Sequence, residues 1–256
     1  MAATLIVESL GTTGSGKSAL IPILTRLLHN EGWLAMSATD AIHYYMRKTW
    51  IGRFFCFLLP ASLQGPILWR VFSYLFSNWH KFWFFTKHPH LMCFVLRRQF
   101  QRQIPWSHRM MILRYYFQMT GWVQFFSHHA QPNQVIFLDE GFVHRAASLF
   151  VSEVETPDPE QVVNYLQLLP PPDLVMWVRV PVDLCLARIY KRGLQARLAH
   201  LNTSEARQFL LNAERVCQIS AEYAKKEGWA IVEVDNVDGL EECAIRLNQA
   251  VMQHLS

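Results

Sequence analysis

The chain has 256 residues, enough to bury the core of one large α/β domain with or without an insertion. Hydrophobic residues make up 51% and charged residues 17%, which excludes an intrinsically disordered chain. The five cysteines form no C-x-x-C pair, so neither a disulfide framework nor a cysteine zinc site is indicated. The first 20 residues lack the pattern of a secretory signal, and we expect a cytoplasmic protein, with peripheral contact at the inner face of the membrane as the alternative.

The most specific motif follows the first predicted strand, residues 4–10. It is the run Gly11-Thr12-Thr13-Gly14-Ser15-Gly16-Lys17-Ser18, which fits the phosphate-binding pattern G-x-x-x-x-G-K-[ST]. Its glycines let backbone N–H groups wrap a pyrophosphate, and the following helix adds positive potential. We expect Lys17 to bridge the β- and γ-phosphates and Ser18 to hold Mg²⁺. The sequence therefore predicts an ATP and Mg²⁺ site whose nucleotide contacts are Gly11, Thr13, Gly14, Ser15, Gly16, Lys17 and Ser18.

A second strand and an acidic residue follow this motif. A helix is predicted over residues 19–29, with a local kink at Pro22, and a short strand over 33–38. Thr39 and Asp40 follow that strand. Such a carboxylate can accept the proton of an alcohol that attacks the γ-phosphate, or it can cap a helix that begins at Ala41. The two roles are compatible.

Residues 41–130 differ in composition from the rest of the chain. They are predicted to be helices interrupted by Pro60, Pro66, Pro89 and Pro105. No carboxylate lies between Asp40 and Asp139, an interval with eleven Lys and Arg, so it carries +11 and the remainder −7. It is also rich in aromatic residues, and no uncharged stretch reaches the ~20 residues that span a bilayer. We expect a helical insertion that contacts an anionic membrane surface or shapes a substrate site; alternatively, its aromatics pack inside an enlarged helical subdomain.

Three further strands are predicted after the insertion, over residues 135–138, 174–180 and 230–234. Helices are predicted between and after them, over 181–192 and 204–226 and in a final segment capped by Asp238. Five strands that alternate with helices predict a doubly wound α/β fold with a parallel sheet, whose ligands bind at the carboxyl ends of the strands. We expect one domain over residues 1–256, with 41–130 as an insertion after strand two.

Two acids end the third strand. Four apolar residues followed by Asp139 and Glu140 have the form of a Walker B strand, and the first acid is expected to orient the Mg²⁺ waters together with Ser18. Glu140 is either a catalytic residue or a solvated loop acid. Arg145, if it lies on a helix near the phosphate loop, is expected to hold an acceptor anion.

A strand opened by Pro172-Asp173, a helix started by Pro181, and the pattern Arg188-x-x-x-Arg192-Gly193 resemble the fourth strand and lid of thymidylate kinase and its nucleoside and nucleotide kinase relatives. The resemblance covers residues 4–40 and 135–254 and implies a P-loop kinase type of fold. It also implies that the lid arginines Arg188 and Arg192, with Arg197 as a further one, close over the phosphates and stabilise transferring charge. The alternative for Arg188 and Arg192 is a solvated helix face.

The departures from that family bear on the acceptor. Thymidylate kinases have an arginine that grips the acceptor phosphate where this chain has Glu140, so a monophosphate acceptor is not favoured. Asp40 is placed as in small kinases of the shikimate, gluconate and adenylylsulfate type, where that residue contacts the acceptor hydroxyl. Residues 139–145 are loosely similar to kinase-like proteins of bacterial surface-polysaccharide clusters, which implies a sugar, glycolipid or other envelope precursor.

Together these features favour an ATP- and Mg²⁺-dependent kinase that phosphorylates a hydroxyl of a small-molecule, sugar or lipid-linked acceptor. The residues expected to be catalytic are Lys17, Asp40, Asp139, Glu140, Arg188 and Arg192. Those expected to contact the acceptor are Asp40, Glu140, Arg145 and Arg197. The alternatives are a P-loop ATPase, in which Glu140 polarises a water, and a nucleotide-gated binding protein at the membrane surface. A homodimer is compatible with this reading, whereas nucleic acid is not the favoured partner because the basic region is so apolar.

Overall fold

The computed structural model describes residues 4–153, 155–193, 198, 201–237 and 239–255. Its centre is a five-stranded sheet in which every pair of neighbours is parallel, with the order β2-β3-β1-β4-β5. The strands are β1 Leu5–Leu10, β2 Leu34–Ser37, β3 Gln134–Leu138, β4 Leu174–Arg179 and β5 Ile231–Asp235. The predicted doubly wound α/β sheet is confirmed, and each strand boundary lies within one residue of the prediction.

Helices connect the strands and cover the sheet. They are α1 Lys17–Asn30, α2 Ala38–Lys48, α3 Trp50–Leu58, α4 Ala61–Val71, α5 Ser77–Lys87, α6 Pro89–Gln101, α7 Trp106–His129, α8 Phe142–Phe150, α9 Pro159–Leu166, α10 Val182–Arg192, α11 Thr203–Lys226 and α12 Leu240–Leu255. One π-helical turn, Phe72–Phe76, joins α4 to α5. The predicted cap of the last helix, Asp238, lies outside the described residues.

The prolines of the insertion mark helix starts, as their fixed φ and missing N–H favour. Pro60 and Pro105 precede α4 and α7, and Pro89 opens α6, whereas Pro66 lies inside α4. Pro22 lies inside α1, and the helix continues through it.

The sheet is buried on both faces, which explains the near-continuous apolar strands. On one face, side chains of α1 and α12 pack against β1 and β4, as Leu24 and Leu247 do with Val7. On the other, α8 to α11 pack over the same strands, and Leu10 and Leu210 belong to that core. Because the loops that follow β1, β2 and β3 all emerge at one edge, the motif residues converge there.

The helices between β2 and β3 pack partly against those two strands and partly into the core beside α8, and they also expose apolar surface. Inside, Phe72 and Phe125 meet edge to face, with ring centroids 5.0 Å apart. Outside, Trp50 and Phe57 on α3 are 78% and 88% exposed. The aromatic residues of this region are therefore divided between packing and exposure. None of the helices in the described ranges is long and apolar enough to cross a membrane.

Candidate active site

The sheet register places the phosphate loop beside the acid that ends β3. Glu8 of β1 pairs with Leu138 of β3, so both strands end at nearly the same level. The Ser18 hydroxyl donates a hydrogen bond of 2.7 Å to Oδ2 of Asp139, although 121 residues separate them in the chain. These are the two residues that the sequence predicts as metal ligands, and the fold brings them into contact.

The loop has the backbone that its glycines suggest. Gly11, Gly14 and Gly16 have φ of +144°, +88° and +93°, values that side chains rarely adopt. A Cβ at Gly14 would lie 2.7 Å from the carbonyl oxygen of Cys185, and one at Gly16 would lie 2.5 Å from the side-chain nitrogen of Asn236. Replacement of either glycine would therefore strain the backbone and displace its neighbours.

Lys17 lies inside the loop. Its ammonium donates to the carbonyl oxygens of Gly11 and Thr12 at 2.6 and 2.9 Å, and the residue is only 7% exposed. Burial lowers the pKa of Lys17, and the nearby Asp139 carboxylate opposes that shift. The charge is thus held by loop carbonyls, at the place where a bound phosphate would supply oxygens instead.

The residues present fit a magnesium ion that arrives with phosphates. Oδ1 of Asp139 is buried and has no hydrogen-bond partner among the described residues, while Oδ2 holds the Ser18 hydroxyl. Hydroxyl and carboxylate oxygens are the donors that Mg²⁺ prefers, and Mg²⁺ commonly takes only one or two protein ligands. Within the described ranges, no cluster of three or more His, Cys, Asp or Glu could hold a metal by itself.

A cavity of about 650 Å³ opens next to the Ser18–Asp139 contact. Its wall includes five of the residues singled out in the sequence: Ser18, Asp40, Asp139, Glu140 and Arg145. The opposite wall comes from α7, through Tyr115, Gln118 and Trp122. These α7 residues recur at helical spacing on one face, but the sequence offered no sign of which helix in the insertion would face the site. This cavity is called the acceptor cavity below.

Asp40 is exposed on the wall of the acceptor cavity, and its local role differs from the one predicted. The helix begins at Ala38, with Ser37 as its N-cap, so Asp40 does not cap a helix from Ala41. Instead Ser37 Oγ donates to the Asp40 carboxylate at 2.6 Å and accepts from the Asp40 backbone N–H at 3.2 Å. Ser37 therefore fills the N-cap position, and the Asp40 carboxylate lies on the cavity wall.

Glu140 and Arg145 form an ion pair. The guanidinium of Arg145 lies 2.7 Å from the Glu140 carboxylate, and their side chains are 13% and 48% exposed. The Arg145 guanidinium also lies over the Tyr115 ring at 5.7 Å. Its Nε is buried and has no hydrogen-bond partner in the part of the chain that the structure describes. Glu140 is therefore neither an isolated solvated acid nor an unpaired carboxylate.

The two predicted lid arginines occupy different places. Arg192 lines a small cavity of about 100 Å³ at the phosphate loop, shared with Lys17 and Ser18. Arg188 instead donates to the backbone oxygen of Asn236 at 3.0 Å. Arg197 lies outside the described residues.

Asn236 links Arg188 to the phosphate loop, because its side-chain amide donates to the carbonyl oxygen of Ser15 at 2.8 Å. Asn236 is completely buried. Sequence reasoning missed this residue, since an asparagine after a strand is ordinary turn chemistry.

Glu8 is a second residue that the sequence did not reveal. It lies within the apolar strand β1, is 4% exposed, and accepts a hydrogen bond of 2.9 Å from the backbone N–H of Val143 in the first turn of α8. Burial raises the pKa of Glu8 to about 7. A Cβ at Gly141 would overlap the Glu8 carboxyl group, so the turn after Glu140 is packed directly on it. Glu8 thus supports the segment that carries Glu140 and Arg145.

Comparisons with known proteins give fold-level likeness only. Neither a protein-family model nor a curated protein matches the sequence. Among solved structures, a shikimate kinase from Acinetobacter baumannii in complex with shikimate is similar at a TM-score of 0.40 and 13% identity, over 98% of this chain and 95% of that one. A deoxyadenosine kinase from M. mycoides with bound dATP is similar at a TM-score of 0.46 and 12% identity, over 97% and 99%.

Structural similarities with these TM-scores and identities do not support a conclusion about activity. The loop backbone, the position of Asp139 and the order of the parallel strands are features of the molecule itself. Together they give the doubly wound parallel α/β fold, with a phosphate-binding loop after β1, that the sequence predicts.

Proposed function

We propose that this protein is an ATP-dependent phosphotransferase that moves the γ-phosphoryl group of Mg·ATP to a hydroxyl of a small-molecule acceptor. One observation carries the proposal: the Ser18–Asp139 contact, where Mg²⁺ would be held, opens onto a cavity of about 650 Å³ with Asp40 on its wall. A hydrolytic ATPase needs room for a water only. A cavity of this size beside the phosphate loop suits a second substrate.

Each side chain at the loop has a role in this proposal. Lys17 would contact the β- and γ-phosphates, and Ser18 and Asp139 would hold Mg²⁺, which would neutralise charge that develops on the phosphoryl oxygens. Arg192, which lines the loop cavity, stabilises the transferring group. Arg188 acts as a second lid residue from its place against Asn236, where it also fixes the loop through Ser15.

On the acceptor side, Asp40 accepts the hydroxyl proton as the oxygen attacks phosphorus. The hydrogen bond from Ser37 orients one carboxylate oxygen and leaves the other for the acceptor. Arg145 contributes its unpartnered Nε to an acceptor oxygen, and the rings of Tyr115 and Trp122 provide apolar walls. This mixture of polar and aromatic groups fits a polyhydroxylated ring such as a sugar.

The kinase is favoured over the ATPase by the state of Glu140. A glutamate that polarises a water needs an available carboxylate, whereas Glu140 is paired with Arg145 at 2.7 Å. The proposal is tested by a screen for ADP release with pooled sugars, nucleosides and lipid-linked precursors in the presence of Mg·ATP. Stimulation by one pool supports the kinase. Basal hydrolysis that no pool stimulates supports the ATPase.

We further propose that the acceptor is lipid-linked and that the protein meets it at an anionic membrane surface through α3. Trp50, Phe54, Phe57 and Leu58 recur at i, i+4, i+7 and i+8 on that helix and are all more than half exposed. The other side of α3 packs so closely on α2 that a Cβ at Gly52 would overlap the Met46 carbonyl oxygen. An apolar face of this kind is unfavourable in water and favourable in the headgroup region of a bilayer.

The charge around the α3 face favours an anionic bilayer as its binding partner over a second copy of the chain or another protein. The last residues of α2, Arg47 and Lys48, and Arg53 on α3 are exposed cations, and the sequence from 41 to 138 contains no carboxylate to oppose an anionic surface. α2 has 11 residues, a length of about 16 Å, and it leads from Asp40 at the acceptor cavity to α3. A headgroup is therefore within a short distance of the proposed reaction centre.

A further inference from the structure

A second cavity, distinct from the acceptor cavity, lies among α4, α5 and α7. It has a volume of about 330 Å³, and each of the three helices contributes one cation to its wall: Arg70, Lys81 and Arg114. Arg114 and Gln118 lie one turn apart on α7, and both face this cavity. The space exceeds the ~30 Å³ that one water occupies in the liquid by about an order of magnitude. It is called the basic cavity below.

The cations of the basic cavity have no counter-charge. Within the described residues none of Arg70, Lys81 and Arg114 is paired with a carboxylate, and the surrounding sequence from 41 to 138 has none to offer. The Lys81 ammonium donates instead to the neutral side-chain oxygen of Asn78 at 3.0 Å. Burial, and then the neighbouring Arg114 charge, lower the pKa of Lys81. An anion in this space would relieve that repulsion.

A buried hydroxyl in the same wall also lacks a partner. Ser77 is 1% exposed, lines the basic cavity, and its Oγ has no hydrogen-bond partner among the described residues. The α7 backbone passes directly over it, since a Cβ at Gly121 would lie 2.6 Å from that oxygen. Buried hydroxyls are normally hydrogen-bonded, so the Ser77 hydroxyl is available to donate to a ligand oxygen or a water.

The basic cavity adjoins the acceptor cavity. Gln118 lines both. The indole of Trp69, in the basic cavity, meets that of Trp122, in the acceptor cavity, edge to face with centroids 5.6 Å apart. The two cavities are therefore neighbours, and Gln118 and the two indoles form the boundary between them.

We propose that the basic cavity binds a phosphate group, through the cations of Lys81 and Arg114 assisted by Arg70 and the Ser77 hydroxyl. Tetrahedral phosphate oxygens accept several charge-assisted hydrogen bonds at once, as this arrangement of donors requires. The phosphate belongs either to a soluble phosphorylated compound or to a lipid headgroup. Only its assignment as a part of the acceptor rests on the proposed function; the binding site itself does not.

The test is a calorimetric titration with inorganic phosphate in a Lys17→Ala background, which weakens competition from the phosphate loop. The double variant Lys81→Gln/Arg114→Gln should bind phosphate at least about tenfold more weakly, because two charge-assisted contacts are lost. Ser77→Ala, which leaves all three charges, should weaken binding about threefold or more. The matched control Arg97→Gln removes an exposed cation of α6 that does not line the cavity, and it should change binding by less than about twofold.

A second arm identifies the source of the phosphate by sedimentation with vesicles of phosphatidylglycerol in phosphatidylcholine. Lower vesicle binding in the double variant, but not in Arg97→Gln, assigns the site to a lipid headgroup. Unchanged vesicle binding with weakened inorganic phosphate assigns it to a soluble compound. The proposal is overturned if the double variant, with an unchanged unfolding midpoint, binds phosphate as tightly as its parent, or if Arg97→Gln weakens binding equally. No step needs turnover, so a failed kinase assay leaves this result interpretable.

Discussion

The carboxylate of Glu140 and the guanidinium of Arg145 form an ion pair of 2.7 Å at the rim of the acceptor cavity, five residues apart across the start of α8. The pair distinguishes the environment of Glu140 from that of Asp40. Asp40 keeps a carboxylate exposed on the cavity wall, whereas Glu140 is engaged with a cation.

Because of this difference, substitutions of Asp40 and of Glu140 should affect phosphoryl transfer and ATP hydrolysis differently. Asp40→Asn should lower phosphoryl transfer to an alcohol by about 10²–10⁴-fold, the usual contribution of a general base, and spare slow ATP hydrolysis. Glu140→Gln should impair acceptor binding, through a misplaced Arg145, more than it impairs basal hydrolysis. ADP release and product formation are measured in parallel. If Glu140→Gln instead stops hydrolysis and traps ATP, while no acceptor ever stimulates ADP release, the protein is an ATPase.

The two arginines proposed as lid residues should respond differently to a charge-preserving change. Arg192→Lys should lower kcat on the order of tenfold or more with little effect on KM for ATP, because a planar fork beside the loop serves the transition state. Arg188→Lys should act through Asn236 on the loop and raise KM for ATP as well. Steady-state kinetics of both variants provide the comparison. Activity unchanged in Arg192→Lys would mean that this side chain is only part of a solvated helix face.

Glu8 makes stability depend on pH. Its pKa is raised from 4.5 to about 7 by burial, so the folded state holds a proton that the unfolded state releases between those values. Stability from this group is therefore full at low pH and falls as pH rises toward and beyond 7. Because one pKa unit corresponds to about 1.4 kcal/mol, the cost of ionised Glu8 is on the order of 3 kcal/mol.

Glu8→Gln removes that cost while its amide oxygen can still accept from Val143. In urea unfolding, the free energy of unfolding of Glu8→Gln should exceed that of the parent. This difference should be small at pH 5 and larger by about 2–3 kcal/mol at pH 9. A gain that is the same at both pH values would contradict the assignment of a proton to Glu8.

The sheet and the phosphate loop were predictable because each strand is a contiguous apolar run and the loop is a contiguous motif. Asp40 and Asp139 were identified because each closely follows a predicted strand, which fixes its place at one edge of the sheet, whereas Arg192 was identified through the resemblance to a kinase lid. By contrast, Tyr115, Gln118 and Trp122 reach the site through helix packing within the insertion, which periodicity does not determine. Glu8 was not predicted as a site residue because a single acid in an apolar strand has no evident role until its hydrogen-bond donor, the N–H of Val143, is known.

The α3 surface predicts membrane binding with an apolar part and an electrostatic part that can be measured separately. Trp50→Ser/Phe57→Ser should lower affinity for anionic vesicles about tenfold or more, since two exposed aromatics lose their transfer free energy. The control Ile245→Ser changes an exposed apolar residue of α12, which is outside the insertion, and should not alter binding. Cosedimentation at low and high salt measures the electrostatic part of the vesicle affinity. Salt should weaken this part in both the α3 variant and the parent. Equal binding by the α3 variant and the parent would assign the α3 face to a second copy of the chain or to a protein partner.

The most direct test of the central claim is the transfer of labelled γ-phosphate from Mg·ATP in Lys17→Ala compared with the parent. The Lys17 ammonium contacts carbonyl oxygens of the loop, not of the strands, and alanine buries no new polar group, so the sheet should remain folded, as circular dichroism would report. Transfer to the acceptor found in the screen should fall at least about 100-fold. Full transfer by a folded Lys17→Ala protein would contradict the role of Lys17 in phosphoryl transfer.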